Sequence, residues 1–172
     1  MPLNVYKMKK RIVLRYIFAA MLVALFIFVF LMSAENADKS TSTSGRLIAK
    51  FANIFSSDYK SGSIQVKILI IAKYQHFVRK LAHFTVYFLI GVCGFGFFKT
   101  FEKVKLYKCC IFSYICGTLY SVTDEIHQFF VPGRAAQVTD VLLDSAGVFC
   151  GTLIFAVSYI IINKIRGRRN AK

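Results

Sequence analysis

The sequence predicts an all-α polytopic membrane protein: a four-transmembrane-helix bundle with interfacial amphipathic helices in the first outer loop. Three observations carry this. Hydrophobic residues make up 56% of the 172-residue chain, and the mean hydropathy of +0.55 is well above that of soluble domains. The apolar residues lie in long uncharged runs, without the alternation of half-buried strands. Basic residues stand in short clusters at the ends of those runs, where orientation signals belong. A single membrane domain, residues 1–172, accounts for the chain.

The first run, residues 16–34, has 19 residues without a charge, enough to cross ~30 Å of hydrocarbon. Lys7, Lys9, Lys10, Arg11 and Arg15 precede it, so the helix is expected over about 13–34. The small residues Ser33 and Ala34 offer a signal-cleavage site, but the run exceeds the usual ~7–15 residues of a signal-peptide core, which favours an uncleaved anchor. The second run, 81–98, is interrupted only by His83 and predicts a helix over 80–98. The third, 109–123, needs residues 106–108 and a snorkelling Lys108 to reach full length, giving 106–123. The fourth, 145–163, starts its helix near Thr139, giving 139–163.

The loops orient the bundle. With the N-terminus inside, the inner side collects 14 of the 23 bases and one acid, Glu102. The outer side holds the other nine bases and seven acids. That asymmetry, +13 against +2, puts both termini in the cytoplasm. In the long outer loop the polar tract 40–44 is able to cap a helix carrying Leu47, Ile48, Phe51, Ile54 and Phe55 at helical spacing. A second stretch with Ile64, Ile68 and Ile71 is too short between Lys67 and Lys73 to span. Two helices on the membrane surface fit this pattern, with a partly disordered loop as the alternative.

The +15 net charge raises nucleic acid as a partner. Its bases flank apolar runs and do not share one face of a soluble module, so no nucleic-acid partner is expected. The five cysteines, Cys93, Cys109, Cys110, Cys116 and Cys150, form no CxxC pair and read as buried small hydrophobes.

Polar residues concentrate at the outer ends of helices two to four. Arg79, His83 and Tyr87, spaced four apart, share a face beside Lys80. Asp124, Glu125, His127 and Gln128 close the third helix. Pro132-Gly133 makes a turn, Arg134 follows, and Asp140 and Asp144 enter the fourth helix one turn apart. Charges at the centre of a membrane helix cost about 2.5–3.5 kcal/mol each on insertion scales, so they persist where they pair or line a wet cavity. One polar cup of acids and bases satisfies all of them. The alternative is a salt-bridge lock that only ties the helices together.

The residue types in the cup suit some chemistries better than others. His76, His83 and His127 with Asp124 and Asp140 resemble a zinc set in composition, but HExxH is absent and no pair has diagnostic spacing; no metal and no other cofactor is expected. There is no GxSxG nucleophile elbow. Arg79, Lys80 and Arg134 with His83 suit a phosphate or carboxylate, with His83 or a carboxylate positioned to move a proton. Gly147 and Gly151 make a G-x-x-x-G on helix four, and Gly91, Gly94 and Gly96 crowd helix two; these favour close packing inside the monomer.

RKLAHFTVY at 79–87, TDEIHQFFVPGR at 123–134 and DVLLDSAG at 140–147 together resemble the VanZ-like family. Its pattern runs K-x-x-H-F-x-x-Y, D-E-x-x-Q followed by P-G-R, then D-V-x-x-N/D-x-x-G. The match is ordered and spans residues 79–151. Asn is common in the family where this chain has Asp144, which adds an acid to the cup. The resemblance implies a multi-pass protein of a bacterial cell membrane, in a family named for a protein associated with teicoplanin resistance. It implies membrane lipids as partners, including an anionic head group or a lipid-linked envelope precursor.

Two functions follow. One is a protein that binds an amphiphile or envelope lipid at the outer face and contributes to resistance against glycopeptides or other envelope antibiotics. The other is an intramembrane enzyme acting on a lipid-linked substrate, with His83, Asp124, Glu125 and Asp140 as acid/base candidates. A structural or chaperone-like role is the simplest alternative to both.

Overall fold

A computed structural model describes residues 2–170 and contains, among them, six helices and no strand. They are α1 (Pro2–Ser33), α2 (Ala37–Phe55), α3 (Ser57–Ser61), α4 (Ile64–Lys99), α5 (Leu106–Phe129) and α6 (Val138–Asn170). Lys172, counted above in the inner charge, lies outside the described residues. Three segments are long and apolar enough to cross a membrane: Val5–Ser33, Ile64–Lys99 and Val138–Arg169. The chain therefore has membrane-protein character. At 24 residues α5 is about 36 Å long. Its apolar content is diluted by Ser113, Gly117 and Ser121, all buried against its neighbours.

The helices depart from the expected boundaries where no breaker stops them. The second expected surface helix is instead the first part of α4, which runs unbroken for 36 residues. Ser63, its N-cap, accepts from the Val66 amide, and no proline or glycine follows until Gly91. The polar tract 40–44 does not cap α2 but lies inside it. There the Ser44 hydroxyl donates to the Thr41 carbonyl (3.2 Å), and the Gln75 amide of α4 donates to that carbonyl (3.0 Å) and to Ser44 Oγ (3.3 Å). The tract thus docks α2 on α4, through the Ser44 hydroxyl and the Thr41 carbonyl, and does not start it. Ile48 is buried against the bundle, while Leu47, Phe51, Ile54 and Phe55 stay exposed.

α4 packs most extensively on α6, with α5 completing a three-helix centre and α1 and α2 laid against α4. At Gly91, Gly147 and Gly151 a side chain would collide with the backbone of the opposite helix, at Val148, Phe84 and Phe88. The absent side chains let α4 and α6 approach closely. One apolar cluster joins Val29, Tyr87, Ile90 and Val148; a second joins Phe95, Cys109 and Ala156. Between them Ser113 Oγ donates to the Gly91 carbonyl (3.0 Å) and lies 3.1 Å from Thr152 Oγ1. α1 is held at both ends. Arg15 donates to Thr100 Oγ1 (3.2 Å) and sits over the Phe101 ring, and Arg11 pairs with Glu102. Toward the other end, the Tyr120 hydroxyl donates to the Phe26 carbonyl (2.6 Å).

Candidate functional site

The end of the bundle that carries the α1–α2 and α5–α6 connections gathers most of the polar residues singled out above. The α5–α6 connection is built on Val131-Pro132-Gly133-Arg134. Proline presets the first corner, Gly133 takes a positive φ of 78°, and the Arg134 amide closes the turn on the Val131 carbonyl at 3.1 Å. This turn carries Arg134 back toward α1, where its guanidinium donates to the Met32 carbonyl (3.1 Å).

Three helices supply the centre. Asp124 and Asp144 are buried, at 4% and 0% exposure, and His83 stands beside them with Nδ1 3.9 Å from Asp144 Oδ1. One ligand atom from each of His83, Asp124 and Asp144 lies within 4.8 Å of the other two. Ser121 donates to Asp144 Oδ2 (3.2 Å). The Gln128 amide donates to Asp124 Oδ2 (3.1 Å) and reaches the Ser33 hydroxyl of α1 (3.2 Å). Tyr87, one turn deeper than His83, is fully buried.

A rim surrounds this centre. Lys80 pairs with Asp140 at 2.9 Å and joins α4 to α6. Glu125 Oε2 accepts the Gln137 amide (2.9 Å), which anchors the connection to α6. His127 goes elsewhere. Its ring stacks on Phe30 of α1, with centroids 4.7 Å apart.

Beside the centre lies an apolar cleft of about 100 Å³ between α1, α2 and α4. Phe28, Val29, Leu47 and Val86 help to form its walls, and Arg79, His83 and Arg134 reach it. Arg79 makes no ion pair among the described residues. Burial, followed by the nearby charge of Arg79, holds the Arg134 guanidinium below the ordinary arginine range; it remains a cation. Sequence reasoning missed the share of α1 and α2 in this site: Ser33, the Met32 carbonyl and the cleft walls. Nothing in the spacing ties residue 33 to residue 128. Ser121 was within reach, since it lies one turn before Asp124 on the same helix face.

The fold and this cluster together define an all-helical protein of membrane character with acids, a histidine and arginines drawn into one end of its bundle. The model of the VanZ/LLP1 family matches residues 18–161, most of the chain, and the protein belongs to that family. No curated protein and no solved structure matches it.

Proposed function

We propose that the chain is a four-span protein of the bacterial cell membrane that holds the anionic head of an amphiphile or envelope lipid, and so contributes to resistance against glycopeptides or other envelope-directed antibiotics. The observation that carries this is a pair of guanidiniums, Arg79 and Arg134, at one apolar cleft. Two like charges repel there, and an anion between them relieves the repulsion while a hydrocarbon chain follows the walls. A lipid-linked envelope precursor offers the same combination of phosphate and chain.

The test is lipid binding by the purified protein, comparing phosphatidylglycerol with phosphatidylcholine by native mass spectrometry. Charge-assisted hydrogen bonds are worth about 1.5–3 kcal/mol each, so losing both arginines weakens anionic binding by at least tenfold. Wild type is expected to prefer phosphatidylglycerol, and the Arg79→Gln/Arg134→Gln double variant to lose that preference together with antibiotic protection. Equal binding of the two lipids by wild type would reject the reading.

The His83–Asp144 pair beside the cleft favours a second reading, an intramembrane enzyme acting on a lipid-linked substrate. His83→Gln separates the two. An enzyme retains lipid binding in this variant and loses turnover of the bound lipid.

A further inference from the structure

We infer that His83, Asp124 and Asp144 form a binding site for one divalent cation of the Mn²⁺ or Zn²⁺ class. Each residue comes from a different helix, α4, α5 and α6, and one ligand atom of each lies within 4.8 Å of the others. A point equidistant from three atoms so spaced is about 2.8 Å from each, so closing by roughly 0.6 Å reaches the ~2.0–2.2 Å typical of zinc.

The surroundings are those of a ligand set. Ser121 holds Asp144 Oδ2 and Gln128 holds Asp124 Oδ2, so each carboxylate is oriented through one oxygen. Outer partners of this kind orient metal-binding carboxylates. Asp144 Oδ1 is fully buried and accepts no hydrogen bond. A buried anionic oxygen met only by an imidazole nitrogen at 3.9 Å is costly unless a cation comes closer. The Tyr87 hydroxyl, beside Ser121 and in the field of both carboxylates, is also enclosed without a hydrogen bond of good geometry. Apart from His83 itself, the bases Lys80 and Arg134 are turned elsewhere, Lys80 to Asp140 and Arg134 to the Met32 carbonyl.

The donor set selects the class of ion. One imidazole with two carboxylates suits manganese or zinc, whereas calcium takes six to eight oxygens. Sequence spacing argued against a metal because it tests ligands along one helix, and here three helices contribute one ligand each. The site stands whatever occupies the adjoining cleft.

The experiment uses the full chain in detergent, stripped with a chelator and titrated with Mn²⁺ alone and with Zn²⁺ alone. Wild type is expected to bind one ion per chain and to melt at a higher temperature with it. Bound Mn²⁺ should show coupling to a single imidazole nitrogen by pulsed electron paramagnetic resonance. Asp144→Asn, His83→Gln and Asp124→Asn should each weaken binding by tenfold or more, with Glu102→Gln at the opposite end as the unchanged control. Asp144→Asn keeps the size and shape of the side chain while removing its charge, so it fits the same packed position. Should the other two fail to accumulate, Ser121→Ala decides the matter. It keeps all three ligands and removes one orienting hydrogen bond, for an expected 10–100-fold loss. No bound ion at millimolar metal, affinity unaltered in Asp144→Asn or Ser121→Ala, or a manganese spectrum without imidazole coupling would each overturn the assignment.

Discussion

Gly133 shows how much of the site hangs on one residue. Its φ of 78° is the only positive φ among the described residues, and the turn it forms delivers Arg134 to α1. A side chain there pays the left-handed penalty of about 1–2 kcal/mol, or the turn reopens. Gly133→Ala is therefore expected to lower the melting temperature by a few degrees. It should also weaken anionic lipid binding, because Arg134 loses its aim. Unchanged melting and unchanged binding would show that the turn positions nothing. Much at this scale was legible beforehand. The Pro-Gly pair announced the turn, and the four-residue spacing put Arg79, His83 and Tyr87 on one face. His127 was not legible in this way, since its place against Phe30 depends on where α1 lies, and no local pattern encodes that.

At the scale of elements, the close approach of α4 and α6 sets the geometry of the acids and the histidine. Gly151 faces the backbone of Phe88, and Gly147 that of Phe84, one turn nearer the site. A large side chain at Gly151 must push the helices apart, and overpacking of this kind costs about 1–3 kcal/mol. Gly151→Leu should accordingly reduce both melting temperature and accumulation. Gly167→Ala on the same helix has nothing within 4 Å and removes a flexible glycine, so a slight stabilisation, up to about 0.5–1 kcal/mol, is expected. Parallel melting curves in one detergent check both, and equal losses would mean that crowding at the α4–α6 crossing is not what matters. The glycine pattern was visible in the sequence because small residues four apart have one common use between helices. The fusion of the second surface helix into α4 was not visible, because Lys67 and Lys73 read as a boundary by hydropathy while helix propensity runs through them.

For the whole molecule, the decisive questions are how the bundle sits in the membrane and whether α1 stays attached. Three segments meet the length and composition of spans, and α5 is long enough but carries polar residues that its neighbours bury. If α5 also crosses, the α4–α5 connection with Lys103 and Glu102 lies on the side of the N-terminus, and α3 with Ser61 lies on the other. The charge split predicts the cytoplasm for the first side. Reporter fusions at Lys103 should then read cytoplasmic and at Ser61 extracytoplasmic. α1 supplies the Met32 carbonyl to Arg134, Ser33 to Gln128 and the Phe26 carbonyl to Tyr120, so cleavage after it would strip partners from the site. The mature protein should thus retain its N-terminal segment, which intact mass spectrometry of membrane-extracted protein measures directly. A cytoplasmic signal at Ser61 would invert the orientation and move the acid–histidine cluster to the inner face. A mass lacking the residues before Glu35 would instead leave the orientation standing and remove α1 from the cleft, taking with it one wall of the proposed lipid site.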